Sequence, residues 1–438
     1  MTQTTILGAG LTGLSAAYHL RDGYEIFEQE AEVGGLCRTM KRKGFLFDYT
    51  GHLLHLRHDY TKHLIQTLLP NLYQQHERKA VIYTQGRYLN YPFQANISSL
   101  PPEIIKECII GFVETLNKAD CSAPDAANSF HDWVLHTFGS GIAKYFMFPY
   151  NQKLWRTPLD QLAADWVSWS IPKPTLDEFL NGALGIKNRA FGYNPTFLYP
   201  KSGGTEQLPQ ALAACLHPDH LHCRKKAIAI EAETRLIRFE DRSICSYDQL
   251  ISTLPLSHLL HLLQPLPEEI KQTAESLRYI SVYDVNIGVK RPHISDAHWI
   301  YFPEPEYLFY RVGFPMNFSS AAVPEGCSSI YVEVSVLPEE VIPEQTLLEK
   351  IYDGLQRSGI LRNTDDILTA DIVRIECAYV IHDLCRPQAL HKIIPYLAQQ
   401  QIYSVGRYGA WEYNSMEGAI LAGKQIAERL SGVTDLKA

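Results

Sequence analysis

The first thirty residues alternate between short apolar runs and a glycine-rich turn. Residues 5–7 predict a buried strand, and residues 14–20 carry apolar side chains at helical spacing. Between them, residues 8–13 read Gly-Ala-Gly-Leu-Thr-Gly, and a second strand-like run over residues 24–27 ends at Glu28. This order predicts a dinucleotide site, because glycines let backbone N–H groups approach a pyrophosphate while an acid accepts the ribose hydroxyls.

A second glycine motif follows. Residues 34–39 read Gly-Gly-Leu-Cys-Arg-Thr, where two glycines permit another close backbone approach and Arg38 can reach a phosphate or a ribityl chain. Nicotinamide enzymes do not usually carry this element. Together the motifs resemble the FAD-binding start of the flavin-containing amine oxidase superfamily, which implies FAD as the cofactor. The cofactor-binding residues implied here are Gly8, Gly10, Gly13, Glu28, Gly34, Gly35 and Arg38.

Composition narrows the class of protein. A chain of 438 residues suggests two or three domains, and 46% hydrophobic with 20% charged residues excludes disordered and fibrous classes. The net charge of −8 gives no general attraction to nucleic acid or to an anionic membrane. Nine cysteines without a CxxC pair argue against a disulfide framework and against structural zinc. We expect no nucleic-acid partner and no metal.

Targeting signals are not evident in the printed sequence. The first strand begins within a few residues of Met1, and no uncharged apolar stretch of the length needed to span a membrane follows. We therefore expect a cytoplasmic protein without a membrane span, and the sequence indicates no oligomeric state.

The hydrophobic pattern changes along the chain. Residues 130–145 have helical periodicity, whereas residues 282–289 and 329–334 alternate as strands of a separate sheet. We predict an α/β protein whose Rossmann-like FAD-binding domain is assembled from discontinuous segments, with a helical insertion and a second, antiparallel-sheet substrate domain. The predicted boundaries are 1–80, 200–275 and 365–438 for the FAD-binding domain, 81–199 for the mainly helical domain, and 276–364 for the antiparallel sheet.

Four further blocks extend the resemblance over nearly the whole chain. Residues 91–94, 148–155, 299–304 and 406–413 occur in an order and spacing that resemble UDP-galactopyranose mutase, in particular its eukaryotic-type branch. The resemblance implies a small-molecule substrate, a UDP-sugar, and a reaction in which N5 of the reduced flavin attacks the anomeric carbon. NAD(P)H is a possible electron donor.

The same resemblance assigns roles to individual residues. Aromatic faces would stack on the uracil and amides would meet its polar edge, a guanidinium would bind the diphosphate, and a Gly-His pair would lie beside flavin N5. The implied substrate-binding residues are Tyr91, Phe93, Gln94, Asn151, Trp155, Arg311 and Asn317. The implied catalytic residues are Gly51, His52, Arg311, Arg407, Tyr301, Tyr379 and Tyr413. The resemblance adds Gly51, Gly406, Arg407, Met416 and Glu417 to the cofactor site.

Plainer interpretations of these residues stay open at this point. Phe93 and Trp155 can be core aromatic residues, and Asn151 can be a turn or cap residue. A structural salt bridge would satisfy Arg311 as well as an anion would. His52 can be an ordinary hydrogen-bonded histidine.

The chain also departs from the mutase pattern. Ser170 stands where the family has a second phosphate-binding arginine, and Phe318 stands where it has a phosphate-binding tyrosine. Losing one charge-assisted contact would cost about 1.5–3 kcal/mol of binding free energy unless Lys173 or Arg156 substitutes. The run 414–419, Asn-Ser-Met-Glu-Gly-Ala, is more like redox members of the superfamily.

The sequence therefore supports two enzymatic hypotheses and one other. The leading hypothesis is a mutase-like isomerase acting on a UDP-sugar. The alternative is a net oxidoreductase of the amine oxidase or protoporphyrinogen oxidase type that acts on a small metabolite. The third is a flavin-binding scaffold or sensor without catalysis.

Overall fold

Three distant stretches of the chain meet in one parallel sheet. The computed structural model describes residues 3–118, 129–167, 171–186 and 195–432, and elements are numbered in chain order. The five strands pair in the order β20 (Ile402–Ser404), β13 (Gln249–Ser252), β1 (Thr4–Leu7), β2 (Tyr24–Phe27) and β9 (Leu221–His222). All four pairings are parallel. The predicted Rossmann-like domain built from discontinuous segments is confirmed.

The first strand and the helices beside it explain the glycine turn. All four residues of β1 are buried, as expected for a central parallel strand. Helix α1 (Leu11–Leu20) follows directly and packs against α13 (Met416–Ser431). A Cβ at Gly423 would lie 2.3 Å from the carbonyl oxygen of Thr12, so only glycine allows this close helix crossing.

A larger sheet forms the second layer of the molecule. Its seven strands pair in the order β19 (Ile367–Val380), β15 (Tyr279–Val289), β18 (Ser328–Val336), β17 (Arg311–Gly313), β16 (Trp299–Tyr301), β6 (Ala80–Thr84) and β7 (Arg87–Asn90). All pairings except β16 with β6 are antiparallel. Helix α10 (Glu344–Arg357) packs on this sheet through three buried residues, Leu347, Ile351 and Leu355. The predicted antiparallel domain is confirmed.

The helical insertion follows β7 in the chain and precedes β8 (Thr196–Pro200). Its helices are α3 (Pro102–Lys118), α4 (Phe130–Ile142), α5 (Phe148–Trp155) and α6 (Leu176–Leu184). Residues 143–147 continue from α4 into α5 as a single wider turn. Thr175 and Glu178 form a reciprocal capping box that begins α6.

The remaining elements complete the layers. A four-stranded sheet has the order β12 (Ile244–Ser246), β11 (Leu236–Phe239), β10 (Ala227–Glu231) and β14 (Leu263–Gln264). Two ladders pair β3 (Thr39–Arg42) with β4 (Phe45–Asp48) and β5 (Tyr73–Glu77) with β8 (Thr196–Pro200). The other helices are α2 (Asp59–Leu68), α7 (Gln207–Ala214), α8 (Leu256–Leu262), α9 (Glu268–Ala274), α11 (Arg386–Gln399) and α12 (Gly406–Gly409).

Strand pairing differs from the predicted boundaries at both ends of the antiparallel sheet. Strand β19 lies beyond residue 364, yet it pairs with β15 along most of its length. Strands β6 and β7 precede residue 276 and extend the other edge of the same sheet. The alternating pattern predicts β15 and β18 as strands. It carries no information on which sheet a distant strand joins, because that depends on long-range packing.

Two further findings concern the described residues alone. Among them, no helix combines the length and the apolar character needed to cross a lipid bilayer. The described cysteines are free thiols.

Candidate active site

A cavity of about 1230 Å³ opens where the parallel strands end and extends between the helical insertion and the antiparallel sheet. Most of the sequence-predicted site residues line it. They are Gly8, Gly10, Glu28, Gly34, Gly35, Arg38, Gly51, His52, Tyr91, Gln94, Asn151, Trp155, Tyr301, Arg311, Tyr379, Gly406, Arg407, Tyr413, Met416 and Glu417.

One part of the cavity, the glycine cleft, is walled by backbone. We define it by Gly8, Gly10, Gly34, Gly35 and Gly406. Gly34 donates its N–H to the carbonyl of Ala9 at 2.8 Å, which brings the two sequence motifs together. A Cβ on Gly10 would lie 4.0 Å from the Cα of Gly35, so the two glycine segments approach each other to van der Waals distance. This arrangement suits an extended phosphate-bearing ligand.

Two charged side chains fix the ends of these motifs. Glu28 is buried, and its carboxylate accepts from the N–H groups of Ala9 at 2.7 Å and Glu30 at 3.0 Å. Each carboxylate oxygen can still accept a further hydroxyl. Arg38 donates through Nε to the carbonyl of Gly35 at 2.9 Å and through Nη1 to Glu30 at 3.3 Å. Arg38 therefore braces the second motif in this structure.

Residues 406–408 and 413–419, near the C-terminus, also line the cavity. Gly406 has φ +81°, and a Cβ there would lie 2.5 Å from the hydroxyl of Thr12. Ser415 caps α13 by accepting from the N–H of Gly418 at 3.1 Å. The Glu417 carboxylate accepts from the N–H groups of Arg57 and His58 at 2.8 and 3.0 Å. Glu417 thus holds the start of α2 while the positive end of α13 faces the cavity.

The turn over residues 50–52 lines the cavity. Thr50 has φ +66°, which is uncommon for a β-branched residue. A Cβ at Gly51 would lie 2.5 Å from the hydroxyl of Tyr331, so the position requires glycine. Burial, with the charges of Arg407 and Arg311, lowers the pKa of His52 to about 4. His52 is therefore neutral near pH 7.

The second part of the cavity, the aromatic chamber, is walled by side chains. We define it by Tyr91, Trp155, Tyr301, Tyr379 and Tyr413, with Arg311 at its base. Tyr91 and Tyr301 have ring centroids 5.3 Å apart, and Tyr379 stacks on Tyr413 at 6.3 Å with an interplanar angle of 9°. Burial raises the pKa values of Tyr91, Tyr301 and Tyr379, so these hydroxyls remain protonated.

Buried charge in the chamber centres on Arg311 and Glu333. Glu333 is fully buried, and it accepts from Nε and Nη2 of Arg311 at 3.0 and 2.6 Å. The hydroxyl of Tyr310 also donates to this carboxylate. Within the described part of the chain Nη1 makes no hydrogen bond, and the Arg311 side chain keeps 19% exposure. Arg311 therefore forms the structural salt bridge that the sequence analysis named as an alternative to binding an anion. One edge of its guanidinium nevertheless borders the cavity.

The second charged group of the chamber is Arg407. Its guanidinium lies 4.6 Å from the ring centre of Tyr413 and 5.4 Å from that of Tyr379, and Nη1 donates to the carbonyl of Asn414. Cation–π contacts of this kind stabilise the guanidinium beside the two tyrosine rings.

Two amides of the predicted uridine site have protein partners. Asn151 donates to the carbonyl of Met147 at 2.7 Å and accepts from the indole N–H of Trp155 at 3.2 Å. Gln94 donates to the carbonyl of Pro172 at 2.6 Å. These bonds fix the orientation of both amides and leave the ring of Trp155 as the face presented to the cavity.

Three of the predicted site residues lie outside the cavity lining. Phe93 is fully buried and stacks on Phe146 at 5.3 Å, so it is a core aromatic residue. Asn317 donates its side-chain amide to the carbonyls of Ser295 and Ala297. A Cβ at Gly13 would lie 1.9 Å from the carbonyl oxygen of Gly8, so Gly13 permits helix–turn packing rather than ligand contact.

The departures from the mutase pattern also have positions. Phe318 packs against Phe197 and Tyr199 and does not line the cavity. Ser170 lies outside the described residues. Neither suggested substitute lines the cavity, because Arg156 pairs with Glu340 at 2.7 Å and the Lys173 ammonium lies over the ring of Trp133.

A family model described as "Flavin containing amine oxidoreductase" matches residues 11–431. The chain belongs to the flavin-containing amine oxidoreductase family. Among proteins of the family, the "Probable flavin-containing monoamine oxidase A" of Dictyostelium discoideum is 31% identical over 119 residues. That alignment covers 26% of this chain and 25% of the Dictyostelium protein, so it spans about a quarter of that relative.

Solved structures extend the comparison to the whole fold of this flavoprotein. Reduced UDP-galactopyranose mutase is similar with a TM-score of 0.93 and 31% identity, covering 99% of this chain and 94% of the mutase. An engineered putrescine oxidase is similar at a TM-score of 0.65 and 15% identity, with 99% of both chains covered. The fatty acid isomerase of P. acnes has a TM-score of 0.65 and 13% identity over 98% of both chains. The last two likenesses show the fold alone.

The residues of this flavoprotein fit the cofactor that defines its family. The cleft between Gly10 and Gly35 leaves open the space that Cβ atoms would fill, and Glu28 lies at the end of β2 where a ribose would reach it. Two helix N-termini, those of α1 and α13, begin at this cavity. A flavin is therefore the expected occupant of the glycine cleft.

Sequence reasoning missed the partners of the chamber charges. Glu333 and Asp284 lie in segments for which the alternating pattern predicts only strands, and in the structure both side chains are fully buried. Tyr150 and Tyr310 also line the cavity, and the sequence pattern assigned neither of them a role. A charged residue inside an otherwise apolar strand is the signal that could have found Glu333 and Asp284, because a buried charge requires a partner.

Proposed function

We propose that this flavoprotein binds FAD and interconverts the pyranose and furanose forms of a UDP-sugar. The observation that carries the proposal is Arg311, a partly buried cation held in a fixed orientation by Glu333, with one edge against an aromatic chamber that is continuous with the glycine cleft. A planar guanidinium oriented in this way suits a diphosphate. The similarity to reduced UDP-galactopyranose mutase over nearly both whole chains supports the same conclusion.

FAD, rather than a smaller flavin, is favoured by the residues that line the glycine cleft. Glu28 at one end suits the adenosine ribose, and the paired motifs at Gly10 and Gly35 suit the pyrophosphate. Residues 50–52 and the N-terminus of α13 line the end toward the chamber, which suits the flavin ring. The positive end of a helix stabilises negative charge on a reduced ring.

In the chamber, the chain's own residues bind and orient the substrate. Tyr91 and Trp155 offer aromatic faces to a uracil, and Nη1 of Arg311 offers donors to the diphosphate. Protonated tyrosine hydroxyls can donate to phosphate or sugar oxygens. The reduced flavin, when bound, supplies the nucleophile for the anomeric carbon. The protein contributes positioning and stabilisation of the leaving diphosphate.

Net oxidation of a small metabolite is the second candidate. The specific observation that favours it is the neutralisation of Arg311 by Glu333, which lowers the positive potential available to a diphosphate. The family to which the chain belongs supports it as well. Turnover-linked release of hydrogen peroxide separates the two candidates, because isomerisation needs no net electron acceptor.

The first test is anaerobic titration calorimetry of UDP into the dithionite-reduced, FAD-loaded protein. Saturable binding at micromolar to sub-millimolar concentration, with much weaker binding of ADP, is the expected result. UDP-galactofuranose is then assayed for conversion to UDP-galactopyranose by chromatography. No UDP binding at several millimolar, or peroxide release with substrate turnover, would reject the mutase proposal and favour oxidation.

Two matched variants identify the diphosphate contact. Arg311→Met is expected to weaken UDP binding roughly 10- to 150-fold, the effect of losing one charged hydrogen bond. Arg156→Met removes a similar arginine from a surface Arg–Glu pair outside the cavity, and we expect UDP affinity to be unchanged. Equal effects of the two substitutions would argue against a specific role for Arg311.

A further inference from the structure

Four side chains form a row across the antiparallel sheet beneath the chamber. The strand register places Asp284 opposite Glu333, Glu333 opposite Arg311, and Arg311 opposite Tyr301. Asp284 and Glu333 are both fully buried. Like charges directly opposite on neighbouring strands are destabilising, and more so away from water. The single guanidinium in this row already pairs with Glu333, which leaves Asp284 without a counter-charge.

The groups that face Asp284 come from its own strand, from three other strands and from one turn. Its Oδ2 accepts from the backbone N–H of Thr50 at 3.0 Å and from the side-chain amide of Asn286 at 2.9 Å. Glu333 and Tyr331 face it from β18, Arg311 faces it from β17, and its partner on β19 is the apolar Val373. Among the described residues, Oδ1 has no hydrogen-bond partner.

These surroundings favour the neutral acid. Burial and, next, the charge of Glu333 raise the pKa of Asp284 to about 8, against the lowering effect of its hydrogen bonds and of Arg311. A proton on Oδ1 leaves Oδ2 free to accept both hydrogen bonds. Asp284 is therefore uncharged near pH 7.

The hydrogen bond to Thr50 acts on the turn that borders the cavity. Thr50 has positive φ, and Gly51 lies against the hydroxyl of Tyr331. Such a backbone persists only when its surroundings hold it. Thr50, Gly51 and His52 all line the cavity, so Asp284 holds a residue of the cavity wall through its backbone N–H.

We propose that Asp284 is a positioning residue of the flavin site, which holds turn 50–52 as a protonated acid. Loss of its proton places a second negative charge beside Glu333 and behind this turn. The inference rests on flavin binding in the cavity and not on the sugar reaction.

The test uses FAD-loaded protein without any nucleotide sugar. Flavin absorbance and the dissociation constant for FAD are measured from pH 6 to about pH 9.5. Wild type is expected to show a transition in both readouts near the pH at which Asp284 loses its proton, about 8. Asp284→Asn keeps a neutral acceptor for Thr50, so its FAD affinity at pH 7 stays within about twofold of wild type and the transition disappears.

Two further variants sharpen the result. Asp284→Val removes the acceptor, and the FAD dissociation constant at pH 7 should rise about tenfold, as for one lost hydrogen bond. Asp371→Asn, on β19 of the same sheet, removes a partly exposed carboxylate that bonds Arg42, and it should leave the transition in place. A transition that survives in Asp284→Asn, or its absence from wild type, overturns the proposal.

A measurement on flavin-free protein separates this inference from the cofactor assignment. Unfolded Asp284 releases its proton near pH 4, whereas the folded protein retains it to about pH 8. The contribution of this group to stability therefore falls as pH rises through that window. The melting temperature of Asp284→Asn minus that of wild type should increase from pH 5 to pH 8. A flat difference contradicts the protonated acid even if FAD binds as expected.

Discussion

The glycine cleft offers its ligand backbone atoms, whereas the aromatic chamber offers side chains. In the cleft, positions such as Gly10 and Gly35 are defined by the absence of a Cβ, and the N–H groups of neighbouring turns are oriented by parallel strands. In the chamber, the surface consists of tyrosine rings and of Arg311, which come from the helical insertion and from several strands. The first design is formed by neighbours in sequence, and the second needs the whole fold.

The two regions also carry charge differently. The cleft uses helix ends and N–H dipoles, which need no counter-ion inside the protein. The chamber rests on a row in which the Arg311 guanidinium pairs with the Glu333 carboxylate and Asp284 is a neutral acid, so the state of each group depends on the others. We therefore expect substitutions in the cleft to act through shape and substitutions in the chamber to act through electrostatics.

The largest expected effect is beside the glycine cleft, at Gly13, where α1 packs on the turn that carries Gly8. Gly13→Ala places a methyl group 1.9 Å from the Gly8 carbonyl, so α1 cannot pack on its turn. We expect a loss of more than about 4 kcal/mol of unfolding free energy, measured by urea denaturation. Gly10→Ala is the control, because its Cβ meets no atom closer than 4.0 Å. It should lose less than about 1 kcal/mol of stability but bind FAD more weakly. Similar stabilities of the two variants would contradict the close packing of Gly13.

Sequence predicted the cleft well for the same physical reason. The motifs at residues 8–13 and 34–39 encode local backbone geometry, and the structure places nearly all of their key residues in the cavity. Phe93 and Asn317 lie outside the cavity lining, because the residue type alone does not reveal in which direction an aromatic ring or an amide points. Glu333 was missed because its partner Arg311 lies in another strand, and register is not readable from either segment alone.

The next effect tests whether the chamber depends on charge balance. Arg311→Met leaves Glu333 buried without a cation, and we expect about 3–4 kcal/mol of destabilisation by urea denaturation. The double variant Arg311→Met with Glu333→Gln should recover much of that loss, because no uncompensated charge remains. A double variant as unstable as Arg311→Met alone would show that shape, not charge, governs this pair.

A smaller loss of stability is expected where α5 contacts the antiparallel sheet, at Lys153. Lys153, on α5, is partly buried and donates its ammonium to the carbonyls of Phe302, Glu304 and Phe309. Lys153→Met leaves three carbonyls without this donor, and we expect about 2–3 kcal/mol of destabilisation in thermal or urea unfolding. Lys144→Met, which removes an exposed lysine paired with Glu107, should change stability by less than about 1 kcal/mol. Equal losses of stability in the two variants would contradict a specific role of Lys153 in anchoring α5.

The smallest effect concerns the border between the chamber and the core. Phe318 stands where the mutase pattern has a phosphate-binding tyrosine, yet its ring is buried against Phe197 and Tyr199. Phe318→Tyr therefore adds a hydroxyl to an apolar cluster, and we expect about 1 kcal/mol of destabilisation with unchanged UDP affinity. Calorimetry on the reduced protein checks the affinity, and urea unfolding checks the stability. A tenfold gain in UDP affinity would mean that residue 318 reaches the diphosphate when ligand binds, and the chamber would then extend beyond the residues that line it here.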